Sequence, residues 1–318
     1  MFSIIIPLYN KAVYIEKALQ SVFNQTFEKF EVIVVDDGST DNSLQVCRDV
    51  ARNVSTEVRI IEQQNSGVST ARNNGVKIAK YDYIAFLDAD DWWKPTFLEE
   101  MKMLITEFSE GALYASSYFK VKGDKNISAQ IGVPDGFIKG YFDYCKAYVA
   151  SLWMPVWTGT VILRKDVFNE MQGFKPQLKL GEDFDLWVRV ALKYKVVLLN
   201  KPLAYYNQDV ESQYRGVIRD KIYEPATHFI FNLDYLQSEE IENQDLKQLL
   251  DNLRVYTLLR YYVQNRYTKE LKKEIQKVDF SKQPKSIKRI YRMPKIFLLL
   301  KTQLLLIASN FKKSLIHE

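Results

Sequence analysis

Cysteine and histidine are nearly absent from this 318-residue chain. It has two of each, and neither Cys47 nor Cys145 sits in a CxxC or other metal-ligand spacing. A structural zinc site and a disulfide framework are both excluded on that basis, and a reducing compartment is expected. Glycine is scarce where a dinucleotide would need it. The first strand-like run leads into PLYNKAVY rather than GxGxxG, which argues against a dinucleotide oxidoreductase. The same turn lacks the Gly-rich, Arg/Lys-bearing phosphate loop of a sugar-nucleotide pyrophosphorylase. No basic region, apolar stretch or cleavage site precedes that strand, so a cytoplasmic location is expected. No apolar run reaches the roughly 20 residues of a spanning helix, and no internal repeat is evident.

What is present is ordinary in bulk and uneven in detail. Hydrophobic residues make up 47% and charged residues 26%, as in a soluble globular protein. Tyrosine (20) and phenylalanine (18) are plentiful, enough to line a carbohydrate site, though packing is their commoner use. The net charge is +5, but Ser281 to Glu318 alone holds nine Lys/Arg against one acidic residue. The basicity belongs to that tail, and the 280 residues before it net −3.

The first ninety residues alternate short apolar runs with helix-period stretches. Ser3 to Ile6 (ended by Pro7), Glu31 to Val35, Val58 to Ile61 and Tyr83 to Leu87 read as strands. Helices are expected after Asn10, from about Asp41, and through Ser69 to Arg72, the first with Ile15, Leu19, Val22 and Phe23 on one stripe. This order predicts an α/β fold, a mostly parallel sheet with helices on both faces. Leu113 to Val121, Thr158 to Leu163, Val196 to Leu199 and Ala204 to Tyr206 read as further strands, and a helix opens at Gly181-Glu182-Asp183. From about Asp220 the pattern is helical. A boundary near Tyr214 divides the chain into a domain at 1–214 and a helical extension at 215–318.

Polar clusters fall where the early strands end, and the carboxyl ends of strands are where open parallel sheets bind ligands. Asp88-Ala89-Asp90-Asp91 sets three carboxylates in four residues, mutually repulsive unless a cation sits among them. Such hard oxygens suit Mg²⁺ or Mn²⁺ bridging phosphate oxygens; a solvated acidic loop would read the same. In Asp36-Asp37-Gly38-Ser39-Thr40-Asp41, a carboxylate could accept a base N–H while Gly38 lets backbone approach a ligand. An Asp-Gly turn with Ser39 or Asp41 capping the next helix is the alternative. Pro7-Leu8-Tyr9-Asn10 offers a ring to stack on a base and an Asn to cap a helix. Ser66 and Gly67 present N–H groups at a helix N-terminus, favourable to anions. Arg72, one turn in, could reach a phosphate or base, or pair with Asp37 or Asp88. In Gly181-Glu182-Asp183-Phe184-Asp185-Leu186-Trp187, a carboxylate could take the proton of an attacking hydroxyl. The helix N-terminus is expected to keep Asp183 ionised and so weaken it as a base.

Taken in order, SIIIPLYN, SVFNQTF, FEVIVVDDGSTD, NSGVSTARNNG and YIAFLDADDWW, then GTVILRKDVF…GF…GEDFDLWVRV, resemble the family 2 glycosyltransferases with the GT-A nucleotide-diphospho-sugar transferase fold, of the bacterial cell-surface polysaccharide type. The resemblance reaches about residue 210. It implies an inverting, hexosyltransferase-type enzyme that moves a sugar from a nucleoside diphosphate donor, UDP favoured, to a hydroxyl of a glycan or lipid-linked acceptor, with Mn²⁺ or Mg²⁺. By position, Pro7, Tyr9, Asn10, Asp37, Ser66, Gly67, Arg72, Asp88, Ala89 and Asp90 look like the nucleotide site. Asp88 and Asp90 look like the DxD metal pair, with Asp91 a further ligand, and Asp183 like the general base. Trp157, Glu182 and Trp187 are candidates for the acceptor or sugar wall, as are Trp153, Tyr205 and Tyr206. The QxxRW signature of processive synthases is absent after Trp187, which implies single-sugar transfer. A non-catalytic binder of the same fold is the rival; the intact Asp88, Asp90 and Asp183 argue against it.

The tail from Lys285 to Lys313 mixes basic residues with Leu/Ile runs broken by Lys301-Thr302-Gln303. That suits an in-plane helix on an anionic leaflet at the inner face of the membrane, or a helix packed on the domain or on a second subunit. The charges are not arrayed around stacking aromatics, so no nucleic-acid partner is expected.

Overall fold

The computed structural model describes residues 1–211 and 221–293. The chain divides into two compact units, Met1–Arg219 and Asp220–Glu318. The expected boundary at Tyr214 and the expected tail beyond 293 lie outside the described residues.

The first unit is built on one mixed sheet. Strands β1 (Phe2–Leu8), β2 (Phe30–Asp36), β3 (Val58–Glu62) and β4 (Tyr83–Phe86) run parallel in the order β3-β2-β1-β4. Every residue of β1 and β2 is buried, which is why they read as unbroken apolar runs rather than alternating ones. The β3 edge strand is only half-buried. Strand β1 does not end at Pro7 but continues to Leu8. Its neighbour β4 pairs only as far as Ile5 opposite Phe86, so a missing N–H at Pro7 is tolerated there.

The helices α1 (Ile15–Phe23), α2 (Ser43–Ala51) and α3 (Val68–Ile78) connect these strands. In α1 the buried residues are Ile15, Ala18, Leu19 and Val22, the i, i+3, i+4, i+7 stripe of a helix lying on a sheet. Helix α3 packs so closely on the sheet that a Cβ at Gly75 would lie 2.5 Å from the Ile5 side chain.

Beyond β4 the sheet continues through β5 (Trp92–Trp93), α4 (Phe97–Glu107), β6 (Gly111–Lys122), β7 (Lys125–Ser128), β8 (Lys139–Tyr141), α5 (Tyr144–Ser151), β9 (Val161–Arg164), α6 (Lys165–Glu170), α7 (Glu182–Lys193) and β10 (Lys195–Asn207). Strand β9 is antiparallel to both β4 and β6, and β10 runs parallel to β6. Two expectations are corrected. Thr158–Thr160 forms a 3₁₀ turn before β9, because Thr160 closes it with both N–H and Oγ1 on the Trp157 carbonyl, each at 2.8 Å. Val196 to Leu199 and Ala204 to Tyr206 are one strand, β10, whose register is irregular around Pro202.

The second unit is helical: α8 (Gln237–Glu242), α9 (Gln244–Thr257), α10 (Leu259–Val263), α11 (Thr268–Gln276) and α12 (Lys285–Arg292), with short 3₁₀ turns. Val255, Val278 and Ile287 pack together with Phe280 and Tyr291. Arg254 is fully buried and holds Glu240 through both terminal nitrogens and Glu274 through Nε at 3.3 Å. A buried guanidinium requires such pairing. Among the described residues, no helix is long and apolar enough to cross a membrane.

Candidate active site

In the order β3-β2-β1-β4, the chain winds outward from β1 to β3 and then crosses to the other side of β1. The loops after β1 and β4 therefore diverge at a topological switch point, where a crevice forms at the carboxyl ends of the strands. Tyr9, Asn10 and Lys11 lie on one side and Asp88 to Asp91 on the other. The Lys11 ammonium crosses the crevice to Asp90. Nothing in the sequence singles out this lysine.

The Tyr9 ring is 45% exposed and makes no ring contact among the described residues, leaving a face open for stacking. Asn10 does not cap α1. Its backbone is left-handed (φ 50°), and Oδ1 accepts the Thr40 N–H at 2.8 Å, tying the β1 loop to the β2 loop. Asp41 likewise bridges loops, accepting from Ser43 N at 3.0 Å and Ala12 N at 3.1 Å.

Asp37 is buried, and its carboxylate takes the Ser66 N–H at 2.7 Å, the Gly67 N–H at 2.8 Å and Gln63 Nε2 at 2.7 Å. The anion held by this helix N-terminus is thus the protein's own carboxylate. A carboxylate accepts at about four positions, so one remains for a ligand donor. Gln63 is in turn fixed by Asn74, whose Nδ2 donates to Gln63 Oε1 at 2.7 Å.

Arg72 joins two distant parts of the chain. Its Nη2 donates to Asp88 Oδ1 at 2.7 Å and its Nη1 to Glu182 Oε1 at 3.1 Å. The guanidinium is 3% exposed and lies 5.1 Å from the Phe174 ring. Burial works to lower its pKa, but Asp88 and Glu182 outweigh burial and hold it above the ordinary arginine value. Of the partners expected for Arg72, Asp88 is found and Asp37 is not. Asn73 secures the same region with a two-way clamp on Phe174, donating to its carbonyl at 2.8 Å and accepting its N–H at 3.0 Å.

The DxD loop is electrostatically crowded. Burial raises the pKa of Asp90, with Asp88 adding to the rise and Lys11 opposing it. Asp91 is raised further, by burial and then by Asp90 and Asp88. It is 2% exposed, and its Oδ1 accepts the Asn207 N–H at 2.7 Å. Asp91 thereby anchors the loop to the end of β10. Ala89 is buried between them. Among the described residues, no three His, Cys, Asp or Glu side chains converge as a ready metal cluster. Asp88 and Asp90 are held by Arg72 and Lys11 respectively.

Asp183 lies in the first turn of α7, where Oδ1 accepts the Phe184 N–H at 2.7 Å. The helix N-terminus was expected to keep it readily ionised. Instead, burial and the neighbouring Glu182 push it up to about 7, against the pull of Phe184 N–H and Arg72. Within a low-dielectric site these terms exceed a helix-end dipole, whose effect is commonly a fraction of one pKa unit. The charge of Asp183 is felt by Tyr118, Tyr148 and Tyr206. Tyr206 is pushed up to about 12, by burial first and then by Asp91, Asp88, Asp90 and Asp183.

The aromatic candidates divide. Trp187 is 1% exposed and packs against Phe86 and Phe174 at 6.3 and 5.7 Å between centroids. It is core, behind the sheet, and not part of an acceptor wall. Trp157 is 4% exposed, backing Tyr118 at 5.3 Å and Tyr206 at 5.0 Å, so it supports those rings and does not itself face solvent. Glu182 is committed to Arg72. Tyr205 stacks between Trp92 and Phe119, at 5.3 Å from each, and the alternation of β10 sends it to the face opposite Tyr206. Half-buried Trp153 donates through Nε1 to Tyr118 Oη at 2.7 Å. Tyr118 and Tyr148 had no motif to mark them in the sequence. Asp185 could have been found from its i+4 partner Arg189. Fully buried, it takes Lys175 at 2.7 Å and Arg189 at 2.7 Å, while Arg189 Nη2 also holds the Gly173 carbonyl at 2.9 Å.

A sequence model described as glycosyl transferase family 2 matches residues 3–171. Glycosyltransferase GlyA of Streptococcus pneumoniae is 28% identical over 220 residues, 64% of this chain but 30% of GlyA, so the aligned stretch spans about a third of that relative's length. The crystal structure of S. aureus TarS 1-349 in complex with UDP-GlcNAc superposes with a TM-score of 0.69 and 22% identity, covering 91% of this chain and 83% of that one. The mannosyltransferase PcManGT from Pyrobaculum calidifontis, in complex with GDP-Man and Mn²⁺, superposes with a TM-score of 0.53 and 16% identity, covering 98% and 82%. At these identities the two structures establish the GT-A fold.

Proposed function

The chain belongs to glycosyl transferase family 2, and from that premise we propose that it transfers a sugar from a UDP-sugar to a hydroxyl of a glycan or lipid-linked acceptor, by direct displacement with inversion. The observation that carries this reading is the Asp88–Arg72–Glu182 bridge. It ties the DxD loop to the first turn of α7 and so sets Asp183, a carboxyl pushed up to about 7, beside the strand ends where a diphosphate would lie.

A base with a pKa near the working pH is best matched to taking a hydroxyl proton as that hydroxyl attacks. In the proposed step the acceptor oxygen bonds to the anomeric carbon, the bond from that carbon to the diphosphate oxygen breaks, and the acceptor proton passes to Asp183. UDP leaves. Tyr9 offers its open ring to the base, and Asp37 retains one acceptor position for a base N–H. Tyr148 and Tyr206, both half-buried and within reach of the Asp183 charge, offer rings to the acceptor, and half-buried Trp153, bonded to the fully buried Tyr118, offers a third.

Asp88 and Asp90 suit a divalent metal. Both are oxygen donors at the switch point, and an ammonium already occupies the position of a cation against Asp90. Mn²⁺ or Mg²⁺ held by these two would neutralise charge developing on the diphosphate leaving group.

Calorimetric titration of UDP and GDP, with Mn²⁺ and then with EDTA, tests the donor reading. Metal-dependent UDP binding supports it. Binding of GDP alone would move the donor to another nucleotide, and binding of neither by folded protein would overturn the proposal.

A further inference from the structure

In the helical unit, four cations are held by carboxylates. Lys247 pairs with Asp251, Arg254 with Glu240, and Lys273 and Lys277 with Asp234. Helix α12 instead gathers its cations on one face. Lys285, Lys288, Arg289 and Arg292 line one shallow groove with Met293, and none of the four has a carboxylate partner among the described residues. Lys288 Nζ reaches only the Ser281 carbonyl, at 2.8 Å.

The spacing 285, 288, 289, 292 makes one stripe of a helix. The opposite side is anchored: Ile287 is buried with Val255 and Val278, and Tyr291 Oη donates to the Val255 carbonyl at 2.7 Å. The stripe is therefore fixed outward by packing. A favourable helix dipole accounts for Arg289 and Arg292 in the last turn, but it opposes Lys285 in the first. Folding alone does not call for the full set. The sequence that follows adds Lys295, Lys301, Lys312 and Lys313 among Leu- and Ile-rich runs, with no acidic residue before Glu318.

We propose that the outward face of α12 docks on the anionic headgroups of a lipid bilayer, making the protein a peripheral membrane protein. A planar anionic surface matches a single outward cationic stripe on a short helix. A nucleic-acid groove would call for aromatic residues to stack on bases, and α12 directs its tyrosine inward. Each cation near an anionic surface contributes modestly and additively, and four together amount to about a thousandfold in partitioning. The proposal is independent of the transfer chemistry.

The test is flotation of the full chain with vesicles of phosphatidylcholine alone or mixed equally with phosphatidylglycerol. The parent is expected to float with the anionic vesicles, to be released by high salt, and to ignore the neutral ones. The variant Lys285→Gln, Lys288→Gln, Arg289→Gln, Arg292→Gln is expected to lose about a thousandfold of that partitioning, with its urea unfolding midpoint and nucleotide binding unchanged. Equal flotation with both vesicles, none with either, parent-like flotation of the folded variant, or displacement from the anionic vesicles by single-stranded RNA would each overturn it.

Discussion

Replacing Asp183 by Asn should cripple transfer and at the same time stabilise the fold, with a pH dependence that identifies the cause. The folded carboxyl is pushed from 3.8 up to about 7, so the folded protein keeps a proton that the unfolded chain has released. Stability attributable to this group is therefore present in acid and declines as pH rises from about 4 to about 7, where it levels off. At about 1.36 kcal/mol per pKa unit, the full displacement corresponds to about 4 kcal/mol of strain in the ionised form. Asp183 is only half-buried, and solvent screening reduces this to about 2 kcal/mol. Asparagine keeps an oxygen for the Phe184 N–H but carries no charge. Urea unfolding followed by tryptophan fluorescence should show the variant more stable than the parent by about 2 kcal/mol at pH about 8, and equal to it at pH about 4. Transfer should fall by about 10² to 10⁴. A stability difference independent of pH, or a variant less stable in mild alkali, would refute the strained-carboxylate argument. Retained transfer would refute the role of Asp183 as base.

Three further outcomes are expected. The parent's kcat/KM should rise with pH through about 7 and then level, because only deprotonated Asp183 accepts the hydroxyl proton; a profile flat across neutrality would point to another base. Arg72→Lys, which replaces a two-armed guanidinium with a single ammonium, cannot hold Asp88 and Glu182 together and should lower stability by about 3 kcal/mol in thermal or urea unfolding. Lys11→Met should shift two affinities in opposite directions, tightening Mn²⁺ binding to the nucleotide-free protein and weakening UDP binding in EDTA, each by about tenfold, or about 1.4 kcal/mol; manganese spin resonance and calorimetry read the two separately.

The parallel half of the sheet was readable because its strands are buried on both faces, and β-branched runs such as Ile4 to Ile6 and Val32 to Val35 have few other homes. The strand-end clusters were readable for a related reason, since polar residues directly after such runs must lie at the sheet's edge. What escaped was decided by side chains meeting across the chain. Arg72 and Glu182 are 110 positions apart, and no periodicity links them. Trp187 sits one turn from Asp183 and looked like part of the same site, but helical geometry sends it inward to Phe86 and Phe174. Asp91 is chemically the same letter as Asp88 and Asp90. Only its pairing with the Asn207 N–H sets it apart. The misjudged ionisation of Asp183 has the same origin: the helix end was visible in sequence, whereas the burial that outweighs it was not.

The charge count around the crevice bears on why a metal is proposed at all. Among the described residues, the five carboxyl groups of Asp88, Asp90, Asp91, Glu182 and Asp183 are answered by two cations, Lys11 and Arg72. Burial raises the pKa of Asp90, Asp91 and Asp183, which marks how unfavourable it is to gather their negative charges here. A diphosphate entering beside Asp88 and Asp90 would add negative charge where Lys11 and Arg72 are already engaged, and like charges in such surroundings repel strongly. Lys11 can answer either Asp90 or a phosphate, but one ammonium does not neutralise both. Asp88 and Asp90 would hold a divalent ion brought in with the donor; its two positive charges would offset the added negative charge and leave Lys11 available to the diphosphate.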